Sequence, residues 1–181
     1  MAASSISRRI ELSIISLGSK DYENAFIQLF PALDKTAKSR RPKDGVGSRI
    51  KAFISDEEVI ITAVATNNII RDIEINGLDL ATAIYKFGRT SIVHEGELDE
   101  RLTINEKGNI SIGEVWNLPS SYILGLIVAV VIAPENSREH LDQDISIRLF
   151  GETFRVKDLW GKKKIIQEKI CQFFQDDDLF K

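Results

Sequence analysis

The chain has 181 residues, of which 43% are hydrophobic. This is enough for one full core with a few appended elements, and too little for two large domains. Its 24 basic and 27 acidic residues leave a net charge of −3, so binding of nucleic acid or membrane would need local patches. The lone cysteine, Cys171, cannot form an internal disulfide, and one cysteine with two histidines is too few for a typical zinc site. The sequence predicts no metal site and no cofactor.

The first long helix is predicted between residues 21 and 39, where apolar side chains recur at steps of three and four. These are Ala25, Phe26, Leu29, Phe30, Leu33 and Ala37. The sequence PKDGVG then breaks the pattern, and a second helical stretch follows that carries Ile50, Phe53 and Ile54. Ser55 and Glu58 have the spacing of a capping box, which predicts a new helix from Asp56 to about Asn67.

The most apolar segment runs from Tyr122 to Ala133. Its 12 residues are too few for a membrane span, which needs about 20. Pro119 and Pro134 flank the segment, as prolines commonly flank a helix, so we predict a buried core helix and keep a buried strand as the alternative. The polar start of the chain, MAASSISRRIELSIISLGSK, lacks the apolar block of a secretory signal. These features predict a cytoplasmic protein with no membrane partner.

Two small hairpins and a last helix complete the predicted domain. Residues 102–112 alternate apolar and polar side chains around Lys107 and Gly108, and residues 145–156 repeat that form around Gly151. A final helix is predicted from about Asp158. It would bury Leu159, Ile165, Ile166, Ile170 and Phe174. We therefore predict a mainly α fold, with residues 1–181 forming one helical domain that carries two β-hairpins.

Candidate chemistry lies in the sequence YKFGRTSIVHEGEL, residues 85–98, at the end of a helix predicted to start at Asn76 or Asp79. Arg89 can hold a phosphate, and His94 can transfer a proton near neutral pH. On an ideal helix His94 shares the core-facing stripe of Leu80, Ile84, Phe87 and Ser91, whereas Arg89 lies about 140° away from it. Gly96 predicts the end of this helix. The two side chains meet only if the helix loosens near that end, or if a second copy supplies the matching pair.

Arg89, Thr90 and His94, followed by Glu95 and Gly96, resemble the motif of HEPN-domain proteins. Residues 32–54 also resemble the stretch that precedes the motif in that family. The resemblance implies a helical bundle that commonly forms a homodimer, with the motifs of both copies facing each other. Active members are metal-independent endoribonucleases, so Arg89 and His94 are the implied catalytic residues, with Thr90 and Glu95 beside them. Thr90 departs from the pattern, because active members often carry Asn, Asp or His there.

The possible partners follow from this resemblance and from two basic stretches. Residues 34–51 and Lys162, Lys163 and Lys164 could contact an RNA backbone, although a solvated surface is the plainer interpretation. The resemblance also implies a cognate antitoxin or defence partner. Two alternatives stay open: a catalytically inactive HEPN-like module that serves only in assembly, and a generic helical adaptor.

Overall fold

The computed structural model describes residues 4–181, and α-helices dominate this part of the chain. They are α1 (Ser5–Gly18), α2 (Tyr22–Arg40), α3 (Val46–Asp56), α4 (Glu58–Thr66), α5 (Leu80–Ala83), α6 (Ser91–Glu95), α7 (Ser121–Ile132) and α8 (Lys163–Phe174). A π-helix, Ile84–Thr90, joins α5 to α6. The predicted mainly α class is therefore confirmed. No helix among residues 4–181 is both long and apolar enough to cross a membrane.

Short strands form three small sheets at the edges of the helical body. They are β1 (Glu74–Ile75), β2 (Leu78–Asp79), β3 (Leu102–Asn105), β4 (Ser111–Ile112), β5 (Trp116–Pro119), β6 (Ser146–Leu149) and β7 (Glu152–Arg155). The pairs β1–β2 and β6–β7 are antiparallel. In the third sheet β5 lies between β3, which is parallel to it, and β4, which is antiparallel.

Helix α7 forms the centre of the core, as its unbroken apolar sequence predicts. Ten of its 12 residues are buried, and it packs closely along α4. At that contact the Ser121 hydroxyl donates to the carbonyl of Ala65 at 2.5 Å, and Gly125 lies against the backbone of Ile61. The prediction of a core helix is confirmed, although Pro119 ends β5 and does not open the helix.

The predicted helix over residues 21–39 and the one after the PKDGVG break are confirmed as α2 and α3. The prediction of a capping box at Ser55 is wrong. Ser55 remains inside α3, and Glu57 is the residue that joins α3 to α4, with no side-chain cap. The Glu57 backbone N–H still donates to the Phe53 carbonyl at 3.2 Å, so the chain continues helically past the predicted boundary.

The predicted hairpin over residues 102–112 is wrong, because β3 and β4 both pair with β5 and not with each other. Trp116 and Leu118 on β5 are buried, so this strand takes the central position, which the alternation within residues 102–112 could not reveal.

The hairpin over residues 145–156 is confirmed as β6–β7, with Phe150 and Gly151 at positive φ in its turn. The last helix begins at Lys163 and not at Asp158, because Gly161 turns the chain at φ 70°. Ile165 consequently lies 38% exposed.

Candidate functional site

The candidate motif lies on α5, the π-helix and α6, which follow one another without a break from Leu80 to Glu95; we call them together the motif helix. Asp79 caps its start, because its carboxylate accepts the Thr82 N–H at 2.6 Å. Gly96 ends it in the left-handed conformation at φ 85°. Both ends agree with the sequence analysis, which offered Asp79 as one of two starts and Gly96 as the stop.

The π-helix changes the direction of every side chain that follows it. Its hydrogen bonds skip one residue more than those of an α-helix, so the buried stripe shifts along the sequence. It packs on α2 at Gly88, where an added Cβ would lie 2.8 Å from Cζ of Phe30. Gly88 therefore allows the motif helix to approach α2 closely.

His94 does not face the core, contrary to the sequence expectation. The buried stripe passes through Phe87 and Gly88 and continues to the half-buried Ile92, and His94 is exposed. The expectation assumed 100° for every residue, and the π-helix breaks that assumption. Val93, next to His94, is 57% exposed, the largest exposure among the large apolar side chains of residues 4–181 that lie at the surface.

Arg89 is half-buried and lines a cleft between the motif helix and α2. The cleft has a volume of about 220 Å³, and its other lining residues are Ile27, Phe30, Pro31, Asp34, Ile92 and Val93. The guanidinium carbon of Arg89 lies 5.8 Å from the ring centre of Tyr85. Among residues 4–181 no acceptor forms a hydrogen bond or ion pair with this guanidinium. An uncommitted cation at the edge of a mainly apolar cleft can take an anionic group of a ligand.

Glu95 belongs to a different and acidic cleft of about 530 Å³. Its lining residues are Ser91, Glu95, Glu97, Leu98, Asp99, Glu100 and Arg101. Hydrogen bonds from Arg101 lower the pKa of the Asp99 carboxyl to about 2. Neither Glu95 nor Glu97 makes a hydrogen bond to His94 in the part of the chain described here. Within one chain neither carboxylate therefore orients the imidazole.

Thr90 is half-buried at the end of the π-helix and lines neither of these two clefts. The exposed His94 also lines neither cleft. One copy of the chain therefore places Arg89 and Glu95 on separate clefts and leaves Thr90 and His94 outside both. A site that uses all four residues would need a second copy, which remains a prediction.

The basic stretch over residues 34–51 is less available to RNA than its composition suggests. Arg40 pairs with Glu57 and Glu135, at 2.7 and 2.8 Å, and Arg41 pairs with Asp56 at 2.8 Å. Three of its arginines are thus engaged within the fold, because Arg49 also pairs with Asp34, at 2.7 Å. What the stretch still presents at the surface is lysine: Lys35, Lys38 and Lys43 are exposed.

The side chain of Glu57 is fully buried, and it also pairs with Lys163 at 2.8 Å. This engages the middle residue of the triple lysine and leaves Lys162 and Lys164 exposed. Burial by itself lowers the pKa of Arg40, but the hydrogen bonds that its guanidinium donates to Glu135 and Glu57 outweigh burial and raise that pKa. These contacts tie α2 and α8 to the junction between α3 and α4, so part of the basic composition serves a structural ion-pair cluster.

Asp34 and the apolar lining of the Arg89 cleft were missed at the sequence level. The lining comes from α2 and from the motif helix, which are separated by some fifty residues of sequence. No group of three or more His, Cys, Asp or Glu side chains that could hold a metal ion occurs within residues 4–181.

The fold and site together define a mainly helical protein with an arginine cleft beside an exposed histidine. Residues 5–176 match the model of the Rv1289 family, and the chain belongs to that family. It is similar to proteins named uncharacterized protein Rv1289, from Mycobacterium tuberculosis strain H37Rv, and uncharacterized protein Mb1320, from Mycobacterium bovis. Each is 25% identical over 178 residues, with 87% of this chain and 83% of the relative covered. No solved structure matches the chain.

Proposed function

We propose that this chain is a HEPN-like RNA-processing protein, a metal-independent endoribonuclease that acts as a homodimer in a defence or toxin–antitoxin setting. The observation that carries the proposal is the state of Arg89, a guanidinium without a protein acceptor among residues 4–181, on a cleft beside the exposed His94. Structural arginines elsewhere in the chain, such as Arg40 and Arg49, are paired. An arginine kept unpaired on the same helix as an exposed histidine suits a phosphate ligand.

The proposed chemistry uses the two side chains in different roles. A neutral imidazole of His94 takes the proton of a ribose 2′-hydroxyl, and the 2′-oxygen forms a bond to phosphorus. The bond between phosphorus and the 5′-oxygen breaks, and an imidazolium from the second copy gives that oxygen a proton. Arg89 offsets the charge that grows on the phosphate in the transition state. The products carry a 2′,3′-cyclic phosphate and a 5′-hydroxyl.

A second candidate is the catalytically inactive assembly module. Two observations favour it: Thr90 stands where active members of the resembling family often carry Asn, Asp or His, and one copy separates Arg89 from Glu95. In this case the exposed Val93 serves only for contact with another protein.

The test incubates the purified chain with single-stranded and structured RNAs in EDTA. We expect His94→Ala to abolish cleavage. We expect Arg89→Ala to cost about 2–4 kcal/mol of transition-state stabilisation, as the loss of a donor to a developing anion does elsewhere. DNA of the same sequence should resist, because it lacks the 2′-hydroxyl.

Matched controls come from the same chain. His140→Ala removes the other histidine, which lies 3.9 Å from Asp142, and Arg148→Ala removes an exposed arginine of β6; both variants should cleave like wild type. Equal cleavage by all five proteins would indicate a contaminating nuclease and end the catalytic proposal. If none of the five proteins cleaves RNA, the result would favour the assembly module.

A further inference from the structure

The Arg89 cleft has a polar group at two places on an otherwise apolar wall. Ile27, Phe30 and Pro31 come from α2, and Ile92 and Val93 from the motif helix. At about 220 Å³ the cleft is smaller than the sites that take drug-sized ligands, which start at about 300 Å³. Its size suits one flat ring system with apolar faces.

Asp34 supplies the second polar group, and one of its two carboxylate oxygens is already engaged within the fold. One of its carboxylate oxygens accepts the Arg49 Nε–H at 2.7 Å. The other oxygen accepts no hydrogen bond from any residue between 4 and 181, and the side chain is 29% exposed. An ionised carboxylate only accepts, so this oxygen selects a ligand with an N–H or O–H donor. The cleft thus offers an acceptor at Asp34 and a donor at Arg89.

We propose that the cleft is a nucleobase subsite that prefers guanine in RNA. The exocyclic amino group and the ring N–H of guanine lie side by side and can donate to the Asp34 carboxylate, and the ring faces contact the apolar wall. Uracil offers one N–H between two carbonyl oxygens, which the carboxylate repels. Arg89 binds a phosphate of the same strand. This inference rests on the proposed function for its RNA ligand, and it specifies which base of that RNA the cleft binds.

The test measures binding, so that it does not depend on cleavage. Fluorescence anisotropy compares three 2′-fluoro pentamers, UUGUU, UUUUU and UUIUU, where I is inosine and lacks the amino group. The 2′-fluoro substitution removes the attacking hydroxyl. We expect wild type to bind UUGUU roughly tenfold more tightly than UUUUU, in line with a well-placed base contact, and UUIUU to bind between them.

Asp34→Ala should abolish the preference for guanine. The matched control is Arg49→Gln, which breaks the same ion pair but keeps the carboxylate in the cleft, and it should retain the preference. Thermal unfolding of both variants shows whether each remains folded. A preference unchanged in Asp34→Ala, an equal loss in Arg49→Gln, or no preference in wild type would each overturn the subsite.

The two proposals can fail separately. Binding with a guanine preference but without cleavage of ordinary RNA would retain the subsite and remove the nuclease. Cleavage that depends on His94, without a base preference in binding, would retain the nuclease and overturn the subsite.

Discussion

Gly125 shows how a single residue sets the distance between two core helices. A Cβ at this position would lie 2.6 Å from the carbonyl oxygen of Ile61 on α4, a contact with backbone that no rotamer change can relieve. Small-to-large changes in a packed core force shifts of this kind and cost about 1–3 kcal/mol.

We predict that Gly125→Ala lowers the free energy of unfolding by about that amount, 1–3 kcal/mol. The measurement is the midpoint of urea unfolding. The control is Gly18→Ala at the end of α1, where an added Cβ meets nothing within 4 Å and the effect should be neutral or slightly stabilising. A Gly125→Ala protein as stable as wild type would mean that α4 and α7 are not packed this closely.

At the scale of an element, the π-helix in the motif helix decides where His94 points. Leu80, Ile84 and Phe87 are buried, as the predicted stripe requires. His94, which follows the π-helix, is exposed and departs from that stripe. No local sequence rule requires a π-helix over Ile84–Thr90. Within it, Gly88 packs against Phe30 of α2, a residue more than fifty positions earlier in the chain. The motif could therefore be found from sequence, but the exposure of its histidine could not.

The ion-pair cluster around Arg40 links several elements and gives stability a pH dependence. Burial raises the pKa of Asp56, but hydrogen bonds from Arg41 and Arg40 outweigh it and lower that pKa; the pKa of Glu135 is lowered in the same way by Arg40. Groups with a depressed pKa in the folded state add stability above their ordinary pKa, near 4, and lose it as pH falls below.

We predict that Arg40→Gln costs about 3 kcal/mol at pH 7, because it removes one partner of the fully buried Glu57. We also expect the variant to lose less stability than wild type between pH 5 and 3, since the pKa of Glu135 is then no longer lowered by Arg40, and that of Asp56 is lowered by Arg41 alone. Melting temperatures across this pH range measure both effects, and Arg148→Gln is the surface control. Parallel curves for wild type and Arg40→Gln would contradict the coupling.

At the scale of the whole molecule, the proposed nuclease requires two copies, and Val93 marks the surface where they would meet. It is 57% exposed between the Arg89 cleft and His94. A contact here would bring two motif helices together, and so would complete a site that one chain leaves divided. Twofold symmetry would place the same patch on both sides of the interface.

We predict a homodimer in light scattering at roughly tens of micromolar, and Val93→Asp should dissociate it, because burying an unpaired charge at an interface costs several kcal/mol. The control is Val115→Asp, which changes an apolar side chain that is 43% exposed between β4 and β5 and should leave the dimer intact. Wild type that is only monomeric at that concentration would contradict the assembly.

The sequence by itself determined the features that depend on neighbours along the chain. The apolar spacing of α2, the unbroken apolar run of α7, the cap at Asp79 and the stop at Gly96 are local signals, and each agrees with the structure. Arg89 and His94 remain candidate site residues, proposed from their side-chain chemistry and their spacing along the chain.

Only the tertiary structure decided which residues meet across the chain. It placed β5 between β3 and β4, engaged Arg40 with the buried Glu57, and brought Asp34 of α2 to the same cleft as Arg89. Each of these depends on packing between segments distant in sequence, where burial of apolar side chains and pairing of charges outweigh local preference. The same packing exposed His94, because the π-helix turned it from the face that ideal helical spacing predicts.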